Sequence, residues 1–274
     1  MTFTDIAPAA FSQRTLFEPI AHVLERFKSP GPPALDPLNA LIETLAPAVV
    51  SGSGRSIRFI RPTADDLAYE ARIFATGEVP TRADDWHDFF NALAWCVWPR
   101  AKTACNALHL AQLELRRVAG LSGRGLSRDA LTQFDECGMV VVSMHDEIPA
   151  LLAAHAWHDV FWRHRLSLQG TTRFLVFGHG SWDQLRAPFY GLCAKTIYRL
   201  VERDWLAMPL ALQQADTDRW LANHLTERAA ALTPRDLPPL PLLGIPGVTP
   251  ESESEDYYRD TRQFRPRRTG SERA

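Results

Sequence analysis

His87 and Asn91 stand four residues apart in a stretch that also carries Asp84, Asp85 and Asp88 between Trp86, Phe89, Phe90 and Leu93. Lys102, Asn106 and His109 follow at helical spacing. An imidazole moves protons near neutral pH, a carboxamide orients polar atoms, and an ammonium holds an anion. Read as a site, His87, Asn91, Asn106 and His109 are the candidate catalytic groups, with His87 as general base or acid. Lys102 and Arg82 are the candidate substrate-binding cations, Arg82 through a bidentate contact to carboxylate or phosphate. His179, in Gly178-His179-Gly180-Ser181, is a further substrate-binding candidate in a strand-turn-helix setting suited to anions. The plainer reading makes each polar stripe a solvated helix face.

These groups need helices to position them. Asp84 or Asp85 can cap a helix buried through Trp86, Phe89, Phe90 and Leu93. Residues i and i+4 share a helix face, so His87 and Asn91 form one stripe. Pro99 interrupts the helix, and Lys102, Asn106 and His109 make a second stripe on the next one. If the two helices fold against each other at Pro99, the stripes converge on a pocket.

Around this block the expected fold class is α+β: a helix-dominated single domain with a β-hairpin, a few short strands and an extended Pro-rich C-terminal arm. The expected divisions are a flexible N-terminus (1–15), the globular domain (16–232), the Pro-rich arm packed on it (233–250) and a largely disordered tail (251–274). The hairpin is placed at Leu131 to Phe134 and Met139 to Ser143, which makes Asp135 and Glu136 turn residues, with metal binding a subordinate reading. Ile148 to Leu166 reads as one buried helix, and Phe174 to Phe177 as a strand.

Composition narrows the function classes. A net charge of −2 over 274 residues disfavours nucleic acid as a partner while leaving room for a local basic groove. No apolar run reaches membrane-span length, and Met1 to Ile6 lacks the pattern of an export signal, so a cytoplasmic protein is expected. The four cysteines are dispersed without Cys-x-x-Cys, which reads as buried reduced thiols, Cys105 among them. His155, His158 and His164 do not share one helix face and read as packing residues. No metal ligands are assigned, and the cofactor and oligomeric state stay open.

Tyr69-Glu70, the block from Pro80 to His109, Phe134-Asp135-Glu136, Phe177-Gly178-His179, the arm Pro241 to Gly247, Tyr257-Tyr258 and Phe264-Arg265-Pro266 resemble a bacterial domain-of-unknown-function family, the one numbered 3025. The resemblance covers most of the chain from about Asp65. It implies a shared, single-domain fold and carries no activity. A second, partial similarity links Asn91-x-Leu93-x-Trp95 and Asn106-x-x-His109, with His87 ahead of them, to the tail of HNH-type endonuclease motifs. The spacing to Asn106 is long for such a motif, and no clear strand pair precedes His87.

Three functions are therefore expected in order. The first is an enzyme acting on a small anionic or phosphorylated molecule. The second is a non-catalytic binding or scaffold protein whose polar cluster locks the helices. The third is an HNH-like metal-dependent nuclease.

Overall fold

Strand and helix follow the apolar spacing over most of the chain. The structure, a computed structural model, describes residues 6–45, 47–64 and 68–267. The first helices are α1 (Ala21–Leu24), α2 (Leu35–Glu43), α3 (Tyr69–Thr76), α4 (Trp86–Val97), α5 (Pro99–Val118) and α6 (Leu126–Cys137). Then come α7 (Glu147–Ala153), α8 (Arg165–Thr171), α9 (His179–Leu185), α10 (Arg203–Leu206) and α11 (Leu210–Arg228). The strands are β1 (Arg58–Ile60), β2 (Glu78–Pro80), β3 (Gly138–Ser143), β4 (Thr172–Val176), β5 (Cys193–Leu200) and β6 (Pro239–Pro241). The fold is α+β and helix-dominated.

β1 and β2 form a small parallel pair, and the other strands form a sheet in the order β4-β3-β5-β6. Every residue of β3 is buried. A strand covered on both faces needs apolar side chains in both directions, which Met139-Val140-Val141-Val142 supplies. It pairs antiparallel with β4 and parallel with β5.

From Phe89 on, α4 is buried at every position. A helix apolar on all sides belongs inside a core. Its first turn stacks Trp86 on Phe90, with ring centroids 5.8 Å apart, and packs Trp86 edge-on against Phe11. Each fully buried phenylalanine contributes about 2 kcal/mol over an exposed one. Pro99 opens α5, where a missing N–H costs least. Asp218 on α11 accepts hydrogen bonds from the backbone N–H groups of Arg100 (3.1 Å) and Ala101 (2.9 Å), so the start of α5 is capped from another helix.

Several expectations change. The β-hairpin is not formed: Leu131 to Cys137 are the last turns of α6, and the antiparallel partner of β3 is the distant β4. Ala130, Leu131 and Phe134 are the buried positions, a helical spacing. The helix passes directly into the strand at Gly138, where a Cβ would lie 2.2 Å from the Phe134 carbonyl oxygen. The single helix expected over Ile148 to Leu166 is broken: His155 takes a positive φ of 59°, and a π-helical turn spans Asp159–Arg163.

The termini also take part. Phe11, in the segment expected to be flexible, is fully buried against Phe17. The Pro-rich arm enters the sheet as edge strand β6, the position where proline is tolerated, with Leu237, Leu240, Leu242 and Ile245 buried. Beyond it, residues expected to be disordered are folded on the domain through 267. Tyr258 and Phe264 are buried, and the Tyr258 hydroxyl bonds to the Gly244 and Ser252 carbonyls. The rest of the basic end lies outside the described residues.

Candidate functional site

The acids following Phe134 are helical, and this places them in the site. Asp135 and Glu136 occupy the last turn of α6. His179 opens α9 directly after β4 and Gly178. The two segments meet because Gly178 and Gly180 have no side chains. A Cβ on Gly178 would lie 2.5 Å from Cys137 Cα, and one on Gly180 would lie 2.9 Å from a Glu136 carboxylate oxygen. α4 packs against α9 and brings His87 from its first turn, where Asp85 caps the helix by accepting from the Asp88 N–H at 3.0 Å.

His87, His179 and Glu136 thus face one another. The two Nε2 atoms are 3.1 Å apart, and the rings meet edge to face. Glu136 sets Oε2 3.7 Å from His87 Nε2 and Oε1 3.6 Å from His179 Nε2. These groups could hold a metal ion, a grouping that the residue pattern alone does not assign. His179 lies inside the protein, with 5% of its side chain exposed, whereas His87 and Glu136 reach solvent at 35% and 46%. Burial drives the His179 imidazole down to about 3, against the pull of the Asp135 carboxylate, so the ring is neutral and has a lone pair to give. Burial also raises Glu136, with His87 opposing.

Behind His179 stands a closed polar network. Lys102 donates to Asp135 Oδ1 at 2.6 Å and to Asn91 Oδ1 at 3.0 Å, and Asn91 Nδ2 donates to the Tyr69 hydroxyl at 2.9 Å. Burial alone would raise the Asp135 carboxyl, but the ammonium of Lys102, donating to it at 2.6 Å, holds it below the usual range. Asn106 Nδ2 donates to the Glu70 carbonyl and carboxylate. His109 is buried, and desolvation lowers it to about 4.

The two stripes do meet at Asn91 and Lys102, but they close on each other. The cavity lined by Lys102, Asn106, His109, Glu70 and Asp135 is about 10 Å³, room for one water at most. It holds no substrate, so the open pocket expected between the stripes is corrected to a sealed network. His87 is separate, turned toward α9. Arg82 does not reach an anion site either: its guanidinium makes a bidentate pair with Asp88, 2.9 Å at each bond, and its backbone N–H donates to the same carboxylate. It ties the loop after β2 to the first turn of α4.

His87 and His179 are brought together; Asn91 and Lys102 support them from behind; Asn106, His109 and Arg82 do neither. Asp135, Glu136, Tyr69 and Glu70 were missed as site residues. Their signal was the helical spacing of Ala130, Leu131 and Phe134, which turns the acids after Phe134 into side chains of a helix end.

The site therefore belongs to an α+β protein with an imidazole–imidazole–carboxylate cluster at the junction of three helices. The chain belongs to the family described as Protein of unknown function (DUF3025), whose model matches residues 57–268 and so spans all of these groups. No curated protein and no solved structure matches it. Among the described residues no helix is long and apolar enough to cross a membrane.

Proposed function

We propose that this chain is a metal-dependent hydrolase whose reaction centre is His87, Glu136 and His179. The observation that supports it is the spacing of the three ligand atoms, 3.1, 3.6 and 3.7 Å. Tetrahedral zinc with bonds of about 2.0–2.1 Å separates its ligands by about 3.3 Å. Two histidines and one glutamate with a fourth position toward solvent is a catalytic rather than a structural ligand set. A zinc ion held by these three residues would supply an acidified water as nucleophile toward an electrophilic carbon.

The substrate we infer is a neutral ester or amide. The cations expected to hold an anion, Lys102 and Arg82, are paired with Asp135 and Asp88. On this reading the substrate differs from the anionic one of the first expectation, and the pairing favours ester or amide hydrolysis over the nuclease reading. In an HNH-like site Asn91 would serve the histidine; here it holds Lys102 and Tyr69.

The test is metal analysis of the purified chain, followed by hydrolysis of p-nitrophenyl acetate and bis(p-nitrophenyl) phosphate with Zn²⁺. Ester cleavage that chelation abolishes and Zn²⁺ restores is expected, with little phosphodiester cleavage. A chain that neither retains Zn²⁺ nor hydrolyses the ester overturns the proposal. The sealed network supports a second reading, the scaffold, under which the Lys102–Asp135 pair only locks helices.

A further inference from the structure

His179 has a buried Nδ1 with no well-formed hydrogen bond; the backbone of Asp135 approaches the ring, and so does its carboxylate. Such an atom costs stability unless something answers it. Asp135 Oδ2 lies 3.8 Å away, one residue before Glu136 on the same helix end. The other oxygen of that carboxylate is already held by Lys102 at 2.6 Å, and Lys102 is steadied by Asn91, itself bonded to Tyr69. The carboxylate is thus anchored on one side and turned with its free oxygen toward the imidazole. A movement of about 1 Å makes this a hydrogen bond, and such contacts tighten when a site is occupied.

We propose that Asp135 is the positioning residue of the metal centre. Its carboxylate accepts a hydrogen bond from the His179 Nδ1–H, leaving Nε2 as the lone pair for an ion, and Lys102 fixes the carboxylate in that attitude. The inference rests on the metal reading above. It gives the hydrogen-bonded chain Tyr69–Asn91–Lys102–Asp135 a task in the site, where a helix lock would need only the ion pair. A carboxylate behind a ligating histidine fixes the ring's tautomer and raises its donor strength. It also resolves the contact between the two Nε2 atoms in the metal-free protein: one must donate and the other accept, and with Asp135 on Nδ1 the acceptor is His179.

The experiment compares wild type, Asp135→Asn and Asp135→Glu by Zn²⁺ affinity in chelator competition and by the visible spectrum of the Co²⁺ form. Asp135→Asn is expected to weaken Zn²⁺ about 10–100-fold and shift the Co²⁺ bands, with partial recovery in Asp135→Glu. Equal affinity and an unchanged spectrum overturn the inference while leaving the metal reading intact. A wild type that binds no Zn²⁺ fails the metal reading itself. Should Asp135→Asn not fold, ¹⁵N-histidine spectra of Zn²⁺-loaded wild type decide. Protonated Nδ1 with metallated Nε2 on His179 supports the role, and the reverse tautomer removes it.

Discussion

Two polar clusters lie a few residues apart on the same pair of helices, and they have opposite designs. Around Lys102 the donors and acceptors are spent on one another, behind a cavity of about 10 Å³. At His87, Glu136 and His179 three ligand atoms aim at one region, and two of their side chains reach solvent. A set of reactive residue types is therefore not yet a site. What distinguishes the clusters is whether the charged and ligating side chains are paired with one another, as Lys102 is with Asp135 and Asn91, or aimed together at one point. The closed cluster defines the packing of α4, α5 and α6, and the open one is left to act on something else.

The sharpest way to break this contrast is to remove an open-cluster ligand. Glu136→Gln or His179→Ala should lower Zn²⁺-dependent hydrolysis by about 1000-fold or more, as expected when a catalytic metal is lost. Urea denaturation of the metal-free Glu136→Gln protein should show little change, because that side chain is nearly half exposed. A large loss of metal-free stability would move Glu136 into the structural class.

The closed cluster should respond in the other direction. Lys102→Met leaves the largely buried Asp135 carboxylate without its ammonium partner and should destabilise the fold by about 3 kcal/mol in urea denaturation. A loss below about 1 kcal/mol would show that the pair is not a brace.

A smaller effect comes from acid. His109 has a folded value of about 4, below the ordinary imidazole value of 6.5, so the unfolded chain binds more protons between those values. Its contribution is complete above the upper value and is lost as the pH falls toward the lower one, amounting to about 3 kcal/mol. The steeper acid loss of wild type compared with His109→Gln, followed by urea midpoints from pH 7 to 4, is the check. Parallel curves would contradict it.

The smallest effect is at the surface. Arg82→Ala removes an exposed pair with Asp88 and should cost about 0.5–1 kcal/mol, with hydrolysis unchanged. A marked rise in KM would restore Arg82 as a substrate contact.

Much of this architecture was legible in the residues. The apolar spacing of Trp86, Phe89, Phe90 and Leu93 and the break at Pro99 gave α4 and α5, and the block between Arg82 and His109 does border the site. His87 and His179 were both singled out, yet nothing in their spacing joins them. Their meeting depends on Gly178 and Gly180, which permit an approach that only tertiary packing creates. Glu136 was hidden by a competing local pattern. Asp135-Glu136-Cys137-Gly138 has turn chemistry, and the apolar residues on either side alternate plausibly as strands, so the helical spacing of Leu131 and Phe134 was outweighed. Arg82 and Lys102 pose a related problem. A sequence shows that a cation is present but not that Asp88 or Asp135 has already taken it.

X-ray absorption at the zinc edge of the loaded protein tests the central claim most directly. The account predicts a first shell of two imidazole nitrogens and oxygen from Glu136 and water, at about 2.0–2.2 Å, with one imidazole lost in His179→Ala. A shell with sulfur, or one unchanged by replacing either His87 or His179, would contradict it.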